Sequence, residues 1–435
     1  MKTFGALIAF MLLAAAPLRA EIDITEVTSP GGINAWLVQE ESIPFVALEL
    51  WFKGGASLDL PGKRGATNLM VGLLEEGAGD LDSRAFSERV ESLAASFEFD
   101  VGDDAVSISA RFLTENQDEA LALLRDALTK PRFDQDAIDR VKAQLVSMIR
   151  SDAQDPDTMV GAAFDSMVFG DHPYGSAIEG TEESVALLTR DDLIAAHQGA
   201  LARDRVYVGA AGDISAEDLA AVLDKLLADL PETGTPQADA VTVSTEAGVT
   251  VVPFDVPQSV AIFGHEGIAR DDPDFFAAFV LNEILGGGGF EARLMEEVRE
   301  KRGLTYGVYS YLVPKDHAAL YLGRVSSAND RIAEAIEVIR DEWSRMAETG
   351  VTEEELEIAK TYLTGAYPLR FDGNGPIANI LVGMQMDDLP VDYVNTRNAK
   401  IEAITLDDIK RVAARVLKPE ALHFVVVGQP EGLDS

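Results

Sequence analysis

Side chains alternate in strand fashion over residues 34–52, through Ala35 and Leu37 and then Phe45, Ala47, Glu49 and Trp51. Gly54-Gly55 and Pro61-Gly62 then break the pattern, and an apolar run predicts a helix over residues 66–74. Residues 249–264 alternate in the same way and lead through Asp271-Asp272-Pro273 into an apolar helix over 275–285. Longer helical periodicities cover 117–128 and 134–151 in the first half, then 328–349 and 352–366 in the second. Thr189-Arg190-Asp191-Asp192-Leu193 opens a further helix with Thr189 as its N-cap, and the strand that follows, 206–211, ends at Gly212. Thr405-Leu406-Asp407-Asp408-Ile409 does the same before a strand over 423–427 that ends at Gly428. Threonine and glycine stand 23 residues apart in both places. One structural unit therefore occurs twice. The expected fold is α+β, two homologous sheet-plus-helices domains in tandem over 21–230 and 248–435. The Pro-, Thr- and Ser-rich segment 231–247 reads as an exposed linker.

The first twenty residues read differently. Lys2 precedes an unbroken apolar run from Phe4 to Ala16, Pro17 ends it, and Ala20 stands before Glu21. A basic start, a short apolar stretch and a small residue at the cut describe a secretory signal over 1–20. The run is shorter than the about 20 apolar residues of a membrane span. The mature chain is expected to be exported and soluble, periplasmic if the source is a Gram-negative bacterium, with no membrane span.

Composition narrows the function. With 435 residues, 47% hydrophobic and 25% charged, the chain is neither disordered nor a polytopic membrane protein. Lys plus Arg number 36 against 74 Asp plus Glu, a formal charge of −38 that repels nucleic acid and favours cationic partners. Cysteine is absent, which excludes disulfides, thiolate metal sites and a cysteine nucleophile.

The most informative segment runs from Gly286 to Tyr306. Gly286, Gly287, Gly288 and Gly289 allow close approach of backbone, but no Gly-Lys-Ser/Thr follows, so this is not a phosphate loop. Arg293, Glu297 and Lys301 are spaced for a salt-bridged helix face. Arg299 and Tyr306 lie seven apart, with Gly303 ending the helix between them. This block resembles the C-terminal half of the pitrilysin-like metallopeptidases, the inverzincin family that includes mitochondrial processing peptidase. In that family an Arg seven residues before a Tyr contacts the substrate near the scissile carbonyl, which implies substrate-binding roles for Arg299 and Tyr306, with the four glycines lining the chamber or admitting a partner's backbone. Pro61-Gly-Lys-Arg-Gly65, His172-Pro-Tyr-Gly175 and Gly180-Thr181 are also similar to family landmarks, His172 reading as a loop-packing residue. The resemblance covers nearly all of the mature chain and implies a half-clamshell of two such domains.

The family's zinc signature is missing. Members that cleave peptides carry His-x-x-Glu-His, two zinc ligands and a general base. Aligned from Gly65, those places hold Asn68, Val71 and Gly72, and the third ligand, a Glu about 76 residues on, falls at Met148. No metal is expected in this chain. The five histidines, His172, His197, His265, His317 and His423, form no short-spaced pair, and Glu75-Glu76 reads as a solvated helix end.

The resemblance thus implies a non-catalytic, substrate-binding subunit of a heteromeric zinc-dependent peptidase. Inactive alone, it pairs with a homologue that bears His-x-x-Glu-His and the zinc, and the two handle a peptide, cationic by charge. The alternative is a catalytically dead homodimer that binds peptides or scaffolds the cell envelope.

Overall fold

The computed structural model describes residues 22–289 and 291–433; the expected secretory signal lies outside them. The first sheet contains β1 (Thr25–Thr28), β2 (Asn34–Gln39), β3 (Phe45–Lys53), β6 (Ser96–Val101), β7 (Ala105–Leu113) and β8 (Val206–Gly212), in the order β1-β2-β8-β3-β7-β6. A small hairpin of β4 (Gly77–Ala78) and β5 (Leu81–Asp82) stands apart. The second sheet contains β9 (Gly248–Pro253), β10 (Gln258–Glu266), β11 (Val308–Pro314), β12 (Ala319–Ala328) and β13 (His423–Gly428), in the order β11-β12-β10-β13-β9.

The sequence repeat is a repeat of topology. In each half the last strand pairs parallel with one strand and antiparallel with the strand that follows it in sequence, β8 with β2 and β3, β13 with β9 and β10; the first half adds β1 outside β2. Both helices expected before these strands exist, Arg190–Ala200 and Leu406–Val416. Both open on a capping box in which the threonine (Thr189, Thr405) and the aspartate (Asp192, Asp408) satisfy each other's backbone N–H. Both strands end on a glycine at positive φ, 130° at Gly212 and 151° at Gly428. A Cβ at Gly212 would run into the Phe45 carbonyl and one at Gly428 into Ser259, so the chain leaves the sheet hard against the adjacent strand.

One face of each sheet is covered by that half's own helices. In the second half, Ile332–Thr349 turns Ile332, Ala335, Ile336, Ile339, Trp343 and Met346 inward, the i, i+3, i+4 stripe of a core helix. Its strand-side start is Ile332 rather than 328, because Ala328 still pairs with Gln258 in the sheet. The apolar helix expected over 66–74 is regular only over Ala66–Val71; from Gly72 the backbone tightens into i→i+3 turns, Leu73 to Met70 and Leu74 to Val71.

The other faces are covered reciprocally. Helix Pro156–Phe169 of the first half packs on β10 and β13, and its Val160, Phe164 and Val168 form a core with Val260, Ile262, Val425 and Val427. Helix Asn374–Met386 of the second half lies across β8, β3 and β2, where Ala378 meets Ala47 and Ala211. The two halves therefore share cores. Segment 231–247 has no helix or strand, yet it is fastened rather than loose. Thr235 N–H donates to the Gly199 carbonyl (3.0 Å), Val241 N–H to that of His317 (2.9 Å), and Val243 is buried. Lys53 pairs with Asp316 at 3.3 Å, Lys315 pairs with Asp103, and the Tyr174 hydroxyl bonds Asp104.

The small side chains under helix Asn374–Met386 give a test. A Cβ at Gly209 would press on the Ala378 carbonyl and the Val382 N–H. Gly209→Val is expected to lift that helix and destabilise the chain by about 1–3 kcal/mol. Urea unfolding measures this, and a wild-type midpoint would disprove the contact's importance.

Candidate functional site

Residues 286–289 and 291–311 form one feature around the start of edge strand β11. The glycine run enters it from helix Phe275–Gly286. Gly286 is buried, and a Cβ there would overlap Ser310 of β11, so its smallness serves this chain's own packing. Gly288 and Gly289 have open space where a side chain would be, and only they leave room for something outside the chain.

The segment Met295–Glu300 is π-helical, with Lys301 N–H donating to the Glu296 carbonyl at 2.9 Å. Such widened turns occur often at functional sites. Gly303, at φ 62°, closes the segment by donating to the Arg299 carbonyl at 2.7 Å. Arg299 stands on this turn, about one-third exposed, with its Nε 3.6 Å from Glu300. The salt-bridged face expected from Arg293, Glu297 and Lys301 forms only in part. Glu297 does accept from Lys301, at 2.7 Å, and also from Arg302 at 2.7 Å. Arg293 turns away, because Glu355 of helix Glu353–Ala366 offers it a two-pronged carboxylate at 2.6 and 2.8 Å.

Hydrogen bonds from Lys301 and Arg302 bring Glu297 down to about 2. Burial alone would raise Glu355, but bonds from Arg293 and Thr352 outweigh it and bring it to about 2 as well. Both folded values lie below the ordinary glutamate range, so this stability is present in full above about pH 4.5 and is lost as pH falls toward 2. Glu355→Gln is expected to cost about 1–3 kcal/mol at neutral pH and to flatten part of that acid limb. Thermal melts across pH 2–7 test it, and an unchanged limb would refute it.

Tyr306 follows directly. Its ring is 86% exposed, while its backbone is fixed by Thr305, whose hydroxyl bonds the Ser326 carbonyl (2.6 Å) and receives the Gly307 N–H (3.0 Å). Beyond it, Tyr309 and Tyr311 project from β11 with ring centroids 6.0 Å apart. The tyrosines recurring at 306, 309 and 311 were the available sequence signal for this extension of the site.

In the other half, the frame around the lost zinc positions persists. The Asp59 carboxylate accepts from Gly65 N–H (2.8 Å), Thr67 N–H (2.9 Å) and the Thr67 hydroxyl (2.7 Å). Arg64 bonds the carbonyls of Ala177 (3.0 Å) and Ser176 (2.9 Å) beside the His172-Pro-Tyr-Gly175 loop. Within that frame Asn68 is half-buried, Val71 is packed in the core, Gly72 lies against Val141, and Met148 is exposed on helix Gln135–Asp152. An amide, two apolar side chains and a glycine do not make a zinc donor set. Among the described residues, no group of three His, Cys, Asp or Glu side chains is placed to hold a metal.

Three of the histidines serve packing. His172 bonds the Asp239 carbonyl at 3.0 Å and accepts the Tyr174 N–H at 3.2 Å. His197 bonds the Leu128 carbonyl at 2.8 Å. His265 receives the Trp343 indole at 3.0 Å, and burial takes it down to about 4. Glu76 is not a free helix end, since it accepts from Ser83 and pairs with Arg140.

A tandem pair of such sheet-and-helix units defines a pitrilysin-type chain. Residues 35–182 match the family described as Insulinase (Peptidase family M16), and residues 187–363 match the Peptidase M16 inactive domain. The crystal structure of a peptidase M16 inactive domain from Pseudomonas fluorescens superposes with a TM-score of 0.89 at 28% identity, over 95% of this chain and 99% of that one. The "Non-peptidase homolog YmxG" of Helicobacter pylori is 26% identical over 90% of this chain and 91% of its own length. An "uncharacterized zinc protease" of Streptomyces coelicolor is 27% identical over 91% and 87%. This chain belongs to peptidase family M16, the pitrilysin-like proteins, as an inactive member with a non-catalytic role. Among the described residues no helix is long and apolar enough to cross a membrane.

Proposed function

We propose that this chain is the substrate-binding, non-catalytic subunit of a heteromeric M16 peptidase, offering Arg299 and Tyr306 to a peptide held at the His-x-x-Glu-His site of a homologous partner. One observation carries the reading: the zinc positions hold Asn68, Val71, Gly72 and Met148, while in the other half Tyr306 stands 86% exposed on a firmly bonded turn. A tyrosine so exposed adds almost nothing to this chain's own core, and its fixed backbone suits a contact with another molecule. A guanidinium offers forked donors to peptide carbonyls, and a phenol can donate to a developing oxyanion. Edge strand β11, with Tyr309 and Tyr311, adds a backbone edge along which an extended peptide can pair. The acidic chain favours cationic peptides. We infer further that the signal over residues 1–20 exports the protein, to the periplasm if the source is a Gram-negative bacterium.

The test is peptidase activity on a mixed peptide library. The mature chain is assayed alone and after co-expression with a zinc-bearing homologue of the same organism. Cleavage only in the mixture, abolished by a chelator, supports the reading; no complex and no cleavage sink it. That second outcome favours a catalytically dead homodimer that binds peptides or scaffolds the envelope.

A further inference from the structure

A cavity of about 460 Å³ lies between the halves, walled by helix Asn374–Met386, helix Tyr393–Glu402 and the first-half residues Trp51 and Asp104. Most of its charges are already matched. Arg270 pairs with Asp387 at 3.0 Å and Asp316 with Lys53 at 3.3 Å. Asp104 accepts from the Tyr174 hydroxyl and from the Asp316 N–H. Asp104 is thus met by neutral donors alone, and among the described residues no carboxylate forms an ion pair with Arg370 or Arg397.

Arg397 is only 5% exposed. Its Nη1 donates to the Leu363 carbonyl and to Asn398 Oδ1, both at 3.2 Å, and its guanidinium lies 4.2 Å from the Tyr367 ring centroid. Those partners are neutral. A buried charge without a counter-ion is unfavourable, and burial together with the nearby Arg370 already weakens the hold of Arg397 on its proton. Arg397 is thus a buried guanidinium without a counter-ion in a chain with 74 acids against 36 bases, and the exposed Arg370 lines the same cavity. Ile380, Met384 and Leu389 make the adjoining wall apolar.

We propose that this cavity binds an apolar monocarboxylate, its carboxylate held between Arg370 and Arg397 and its hydrocarbon part against Ile380, Met384 and Leu389. Forked donors suit a carboxylate, and the volume suits a small molecule. A dianion such as phosphate fits less well, because Asp104 and Asp387 line the same cavity. The site is remote in sequence from Arg299 and Tyr306 and independent of the peptidase reading.

Calorimetric titration of the mature chain tests it with three probes: N-acetyl-leucine, its uncharged amide and inorganic phosphate. The acid should bind saturably, and the amide and phosphate at least about tenfold more weakly, the loss expected when a charge-assisted hydrogen bond is removed. Arg370→Glu reverses an exposed charge that has no partner to lose. Gly383→Leu fills the cavity, since a Cβ at Gly383 has open space. Both variants should melt as wild type and lose the acid. Equal binding of the amide or phosphate, binding that survives in either variant, or no saturable binding of the acid would overturn the proposal.

Discussion

Arg299→Ala and Tyr306→Phe are each expected to lower turnover of the mixed complex by about 100-fold, the usual loss when one preorganised donor to a developing oxyanion is removed. Tyr306→Phe should leave folding intact. The Tyr306 ring is 86% exposed, and its turn is held by Thr305 rather than by the phenol. Arg299 has its Nε 3.6 Å from exposed Glu300, and a melt of Arg299→Ala separates any change in stability from the loss of turnover. The two variants should differ kinetically. A phenol that acts on the oxyanion lowers kcat and kcat/KM together, whereas a guanidinium that holds ground-state carbonyls raises KM as well. Steady-state kinetics of the complex, with gel filtration and thermal melts as controls, make the comparison. Wild-type turnover in both variants would remove this pair from the function.

The repeat was legible because its signals are local. A threonine and an aspartate three apart make a capping box wherever they open a helix, and Gly212 and Gly428 mark places where a side chain would strike the neighbouring strand. The exchange of helices between the halves was not legible. The small face of Asn374–Met386, at Gly375, Ala378 and Val382, is visible as a pattern, but periodicity does not say which of two sheets it covers. Much the same holds at the site. Arg299 and Tyr306 could be found by spacing, while the π-helical turn that carries Arg299 depends on where Val298 and Leu304 are buried. Arg293 illustrates the failure of a local rule: an i, i+4 partner was available in Glu297, and a carboxylate 62 residues away, placed for a two-pronged contact, took it. The cavity arginines, at 270, 370 and 397, come together only in three dimensions.

Rebuilding the lost motif as Asn68→His, Val71→Glu and Gly72→His is expected to yield a less stable protein that retains no zinc after dialysis. The three positions differ sharply. Gly72 has φ −62°, and its Cβ would meet Val141 at an ordinary 3.4 Å, so a side chain fits. Asn68 is half-buried and tolerates an imidazole in the same way. Val71 is 2% exposed within the main core of the first half. A glutamate there loses its hydration without gaining a cation, which costs about 3 kcal/mol or more. Burial raises the folded pKa of such a carboxyl, so the penalty grows as pH rises above the ordinary glutamate value and shrinks in acid. Met148, 44% exposed, leaves the place of the third ligand with a thioether, a poor donor for zinc beside two imidazoles. Asn68→His with Gly72→His alone should therefore keep nearly wild-type stability, which locates the loss at Val71. Urea unfolding of the double and triple variants, with metal analysis after dialysis, decides the matter. Stoichiometric zinc and peptide cleavage by the triple variant alone would mean that the ancestral site persists with only its ligands removed.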